Sequence, residues 1–108
     1  MNRFFWLRYQ NEVMADWHEN TSLDAIGARL KAIRKASGRN QSQFATWVEV
    51  NIPTWSNYER AYRRIDLDNA FKVVRKTGVT LDWIYFGDES GLPVHLRDSL
   101  DEHLEDVA

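Results

Sequence analysis

Asn57 and Ser56, with Arg60, Arg63 and Arg64 just beyond them, are side chains able to recognise and hold a polyanion. An asparagine amide presents a donor and an acceptor together, the pair needed to meet the edge of adenine. A serine hydroxyl serves either a base or a backbone oxygen. Guanidinium groups fork onto phosphate oxygens, and Arg39 adds a fourth such group upstream. Ile52 offers an apolar contact of the kind that meets a thymine methyl. Together these types belong to nucleic-acid binding, where phosphate contacts position and base contacts specify. The plainer reading of each arginine is a solvated surface charge. For Asn51, a helix N-cap is at least as good an account as a DNA contact.

Such side chains must be carried on something rigid, and the flanking sequence supplies helices. Leu23, Ile26, Leu30 and Ile33 share one helical face, with Thr21 as the expected cap, Asp24 three residues on, and Gly38 as the expected stop. Asn40 and Gln43 have capping-box spacing before Phe44, Ala45 and Val48. Glu49-Val50-Asn51 leaves room for a turn and little else. A third helix then starts with Pro53 in its first turn, where a missing N–H is harmless, and its apolar side is Trp55, Tyr58 and Tyr62. Asp66 caps a fourth stripe of Leu67, Ala70, Phe71 and Val74, ended by Gly78. Thr80 opens a fifth short helix, Leu81 to Phe86, ended by Gly87. No period-2 strand or internal repeat is present, so the expected fold is all-α. In the pairing of the second and third helices, Ala45 is small at the close approach, Val50 plugs the turn, and Trp55 points inward. Asn51, Ile52, Ser56, Asn57 and Arg60 are left outward.

The ends read differently. Residues 1–22 form an N-terminal arm in which Trp6, Val13 and Trp17 fall roughly on one helical stripe; Met14 is an alternative start. Residues 92–108 form an acidic C-terminal helix or tail with Leu96, Leu100, Leu104 and Val107 at helical spacing. That stripe and Leu81 to Phe86 are the candidate dimer surfaces. The domain proper is residues 23–91.

Charge follows the same division. The net charge of −2 over 108 residues hides a basic middle: residues 23–76 hold eleven basic and five acidic side chains, a net of +6. Residues 77–108 hold one basic and eight acidic, a net of −7, and residues 1–22 contribute −1. A local basic field is what a phosphate backbone responds to. There are no cysteines, which removes disulfides, thiolate catalysis and Cys-based zinc sites and fits a reducing compartment such as the cytoplasm. No apolar run approaches the roughly 20 residues of a membrane span. The aromatic start is broken by Arg8 and lacks a small-residue cleavage site, so no signal peptide is expected.

The stretch Gln41-Ser42-Gln43-Phe44-Ala45 through Val50, then Thr54-Trp55-Ser56-Asn57-Tyr58-Glu59-Arg60, resembles the Xre family, related to phage lambda repressor and Cro. Ile26-Gly27-Ala28-Arg29-Leu30 resembles that family's first helix. Gly78-Val79-Thr80-Leu81-Asp82-Trp83-Ile84-Tyr85 with Gly87-Asp88 resembles its close. The likeness covers about residues 23–91 without gaps. It implies a five-helix lambda-repressor-like domain with short arms, a helix-turn-helix over 41–60, and a sequence-specific transcription regulator, a repressor binding a palindromic duplex as a homodimer. It also implies a phosphate-anchoring role for Gln41. Two departures stand out. Glu49 and Ala61 occupy positions where the family commonly has glycine. The usual base-reading positions fall on Ile52, Pro53 and Asn57, two of which cannot hydrogen-bond through a side chain.

Enzyme readings have little support. Gly87-Asp88-Glu89-Ser90-Gly91 has its serine one place off a nucleophile elbow and no strand before it. His18, His95 and His103 lack metalloprotease spacing, and no glycine-rich loop is placed to hold a nucleotide. No cofactor, metal or small-molecule ligand is expected. The rival reading is a protein-binding module, an antitoxin or adaptor, favoured by the apolar Ile52-Pro53 pair.

Overall fold

The computed structural model describes residues 19–107. Among them six helices follow one another with no strand: α1 Leu23–Ala36, α2 Gln41–Val48, α3 Ile52–Glu59, α4 Leu67–Thr77, α5 Leu81–Phe86 and α6 Val94–Val107. The aromatic stripe of the N-terminal arm and the alternative start at Met14 lie outside the described residues.

The boundaries are set by side-chain caps. The Asn40 side chain accepts from the Gln43 amide at 2.8 Å, and the Gln43 side chain accepts from the Asn40 amide at 3.1 Å. The side chains of Asn51, Asp66 and Thr80 accept from the Thr54, Asn69 and Trp83 amides and so cap α3, α4 and α5, without the reciprocal bond. The cap of α1 is Ser22 rather than the expected Thr21: the Ala25 amide donates to its hydroxyl at 3.1 Å. Both residues have the right chemistry. The helix begins one position later, and the Thr21 carbonyl instead accepts from Arg64.

Ile26, Leu30 and Ile33 of α1, Phe44 and Val48 of α2, and Trp55 and Tyr58 of α3 meet in one core with Trp83 and Ile84 of α5. The α4 stripe is rotated from its expected position. Ala70 and Val73 face inward, while Leu67 and Phe71 are 53 % and 47 % exposed. The sequence 70, 73, 74, 77 satisfies helical spacing as well as 67, 70, 71, 74 does, and packing selects the first. Tyr62 lies beyond the end of α3 and is 69 % exposed, so it is not part of that helix's apolar side.

Two further contacts fix α1. Its Gly27 lies against α3 so closely that a Cβ there would meet the Tyr58 carbonyl oxygen at 2.8 Å. Arg29 is buried, donating from Nε to the Ile84 carbonyl at 2.8 Å and from Nη2 to the Asn20 carbonyl. Burial lowers the guanidinium pKa to about 10, which leaves it charged at neutral pH. There it meets the Ile84 carbonyl near the C-terminal end of α5, where a cation is favoured.

After Gly91 the chain does not leave the core. Leu92 and Leu100 are buried in it, Leu96 and Leu104 pack against it, and α6 runs along α1. The α6 leucine stripe is therefore spent within its own chain. It does not face outward as a dimer surface, whereas Phe86 remains 40 % exposed.

Helices α2 and α3 both end on a left-handed residue that is not glycine: Glu49 at φ 67° and Ala61 at φ 61°. Each sits in a Schellman arrangement. The Val50 amide reaches back to Ala45 O at 2.9 Å, and the Tyr62 amide to Asn57 O at 2.9 Å. Left-handed backbone strains any residue with a Cβ by about 1–2 kcal/mol. Glu49→Gly and Ala61→Gly are therefore each expected to raise stability by about 1 kcal/mol, after the entropy that glycine adds to the unfolded chain. Thermal unfolding should show a midpoint several degrees higher for either variant. An unchanged or lower midpoint would mean that neither turn is strained.

Candidate nucleic-acid interface

Helix α3 is short and two-sided. Trp55 and Tyr58 are fully buried, with ring contacts to each other and from Trp55 to Phe44 of α2. With those two facing in, the 3.6-residue period turns Ile52, Pro53, Ser56, Asn57 and Arg60 toward solvent. Ile52 is 42 % exposed. The side chains of Ser56 and Asn57 form no hydrogen bond among the described residues, and neither does Arg63 in the exposed segment that follows.

The orientation of α3 rests on one carboxylate. Glu59, whose side chain is 3 % exposed, accepts from Arg34 Nε at 2.7 Å and Arg34 Nη2 at 3.0 Å. It also accepts from the Trp55 indole N–H and from Gln41 Nε2 at 3.3 Å. One side chain thereby joins α1, α2 and α3. Arg34 Nη1 further donates to the Arg39 carbonyl at 3.1 Å, which fixes the entry to α2. Gln41 is thus oriented by Glu59 through one amide hydrogen, leaving the other available.

The remaining candidates differ in how far they are held. Asn51 is the N-cap of α3, accepting from the Thr54 amide at 3.3 Å, and is exposed. Arg39 lies over the Trp47 ring at 3.7 Å and donates to Ser37 O at 3.3 Å. Arg60 sits 5.9 Å from the Tyr62 ring. Arg64 donates to the Thr21 carbonyl and lies beside Tyr85 and Phe86. Asn51, Ile52 and Arg60 are therefore exposed on the outward side of α3 and its cap, with Ser56 and Asn57 half-buried beside them; Gln41 stands at the start of α2, and Arg63 follows α3. Arg39 and Arg64 are engaged with their own chain.

The geometry is that of two short helices joined by a left-handed turn, the second amphipathic with its polar edge outward. The helix-turn-helix family model matches residues 30–84, about half of the chain and inclusive of every candidate above. The chain belongs to the Xre-type helix-turn-helix family. The match begins within α1 and ends within α5, so it takes in both helices of the motif and the elements that brace them. The chain is also 34 % identical over 65 residues to the HTH-type transcriptional regulator ImmR of Bacillus subtilis (strain 168). That match covers 60 % of this chain and 51 % of the relative, so it spans about half the relative's length. No solved structure gives a match.

Glu59 in the helix-turn-helix and Tyr62 just after it have surroundings that sequence spacing does not reveal. Glu59 was visible only as part of a motif; its spacing of four from Trp55 is the signal that an indole N–H could reach it. Tyr62 is an exposed ring in a segment with Arg60, Arg63 and Arg64. Its helical spacing from Tyr58 disguised it as core.

Proposed function

We propose that this chain is a sequence-specific DNA-binding transcription regulator of the cytoplasm, acting as a repressor that occupies a two-fold operator as a homodimer. The observation that carries this is the exposed face of α3. Ser56 and Asn57 stand there half-buried, with no side-chain hydrogen bond among the described residues, at the second helix of a helix-turn-helix, flanked by Arg60 and Arg63. In such motifs the second helix enters the major groove while the first crosses the backbone. Asn57 is the base reader and Ile52 an apolar contact. Gln41, Arg60 and Arg63 are backbone contacts, and Ser56 serves either. Asn51 has its cap to maintain and contributes less. Arg39 and Arg64 reach phosphate only by exchanging the contacts they now make. The name of the Bacillus subtilis relative, a transcriptional regulator, supports the reading. Among the described residues no helix is long and apolar enough to cross a membrane.

The test separates recognition from attraction. On a duplex selected from fragments of the source genome, Asn57→Ala should cost about 1–3 kcal/mol, and little on scrambled DNA. Arg63→Ala should weaken both duplexes alike and flatten the salt dependence. Neither side chain lies in the core, so thermal melts should be near wild type. Equal losses on both duplexes for Asn57→Ala would remove it as a specificity residue and move the reading to Ile52 and DNA deformability. A protein-binding adaptor is the second reading, favoured by the exposed Ile52 beside Pro53; absence of binding to any duplex would select it.

A further inference from the structure

We infer that the cleft where α1, α2, α4 and α6 meet is a binding site for a small aromatic carboxylate. The cleft has a volume of about 170 Å³, close to that of an apolar protein cavity known to take up benzene. Its floor is apolar: Ile33, Val79 and Leu100 line it and are buried. Its rim is cationic: Arg39 and Lys76 both border it. Neither cation forms an ion pair among the described residues, where the two ion pairs are Arg34–Glu59 and Arg97–Glu89.

The rim is also partly pre-organised. Arg39 is stacked on Trp47, itself a lining residue, at 3.7 Å, and is bonded to Ser37 O at 3.3 Å. A planar guanidinium already held on one face loses little freedom when a carboxylate takes the rest of its fork. Lys76 adds a mobile ammonium from the last turn of α4. An apolar floor of ring size under two cations with no ion-pair partner among the described residues selects a ligand with a flat apolar body and one anionic end. A purely apolar molecule would leave the cations unanswered, and a phosphate would leave the floor unfilled.

The cleft reaches the DNA-facing side through Arg39, which precedes the cap of α2. A carboxylate bound there holds Arg39 in its present contacts with Trp47 and Ser37, which it would have to exchange to reach a DNA phosphate. By linkage, ligand and DNA then weaken each other equally. This consequence rests on the DNA-binding reading; the site itself does not.

The probe is benzoate, titrated into the full chain without DNA and followed by amide and methyl NMR shifts, with acetate at equal ionic strength as the blank. Saturable shifts confined to the cleft are expected, with millimolar affinity. Benzyl alcohol should bind at least tenfold more weakly, and Lys76→Ala should weaken benzoate severalfold. Leu96→Trp, which fills the cleft from α6, should abolish the shifts. Lack of saturation overturns the site, and equal affinity for benzyl alcohol overturns the assigned ligand class. Benzoate shifts that persist in both variants place the binding elsewhere and also overturn it. In a parallel arm, benzoate should lower DNA affinity severalfold beyond acetate. Unchanged DNA affinity would overturn the competition for Arg39. A protein that binds benzoate but no DNA would fail the DNA reading while leaving the site standing.

Discussion

Replacing Glu59 by alanine is expected to lower the stability of the chain by about 3–5 kcal/mol, the cost typical of stranding one partner of a buried ion pair. Glu59 accepts from three side chains on three helices, and its own side chain is 3 % exposed. Arg34, 13 % exposed, would lose the carboxylate it is paired with among the described residues. The Trp55 indole N–H would lose its acceptor in the core, which adds its own desolvation cost. Because the same carboxylate aligns α3 with α1 and α2, any folded remainder should bind DNA poorly. Urea unfolding of Glu59→Ala, Arg34→Met and the double variant Arg34→Met/Glu59→Met separates the effects. The double variant should be less destabilised than the sum of the two single variants, since no charge is then stranded. A loss below about 1 kcal/mol for Glu59→Ala would be the value of a surface pair and would show that the cluster does not hold the motif together.

A chain ending at Gly91 is expected to lose its fold at physiological temperature, or to melt far lower than the full chain. Truncation removes Leu92 and Leu100 from the core and strips Leu96 and Leu104 from its side. It also uncovers the face of α1 along which α6 runs. Burial of a leucine side chain contributes about 1.5–3 kcal/mol, so two complete burials are a large part of the 5–15 kcal/mol that usually holds a domain together. Leu100→Ala provides the finer measurement, with an expected loss of about 2–5 kcal/mol. Circular dichroism melts of the three proteins decide the matter. A truncated chain melting within a few degrees of the full one would show that α6 is an accessory to the fold.

Much of this architecture was legible in the sequence because it is punctuated locally. Asn40 with Gln43, Asn51, Asp66 and Thr80 are caps whose chemistry acts within three residues, and Gly78 and Gly87 mark left-handed stops. Glu49 stands where the family commonly has glycine, and the backbone there is left-handed despite the residue type. What escaped the reading depends on tertiary contacts. Two overlapping apolar stripes on α4 obey the same spacing, and only packing chooses Val73 over Phe71. The α6 leucines fit a partner helix as readily as α1 in spacing alone. Glu59 has no signal beyond its place in the motif, because the three side chains that donate to it come from separate helices. At the interface, the outward set on α3 followed from knowing which residues faced in. The engagement of Arg39 with Trp47 and of Arg64 with Thr21 carried no sequence signal, because long side chains choose partners by reach rather than by register.

The central claim, that the face of α3 meets DNA through a basic surface, is tested most directly by the salt dependence of binding. A labelled duplex carrying a selected fragment is titrated at several salt concentrations between about 50 and 200 mM. Log affinity should fall linearly with log salt, by about 0.9 for each phosphate neutralised. Arg63→Ala should make the slope shallower, by about 0.9 for each copy of the arginine bound. A flat affinity across that range, or no binding at the lowest salt, would contradict the account.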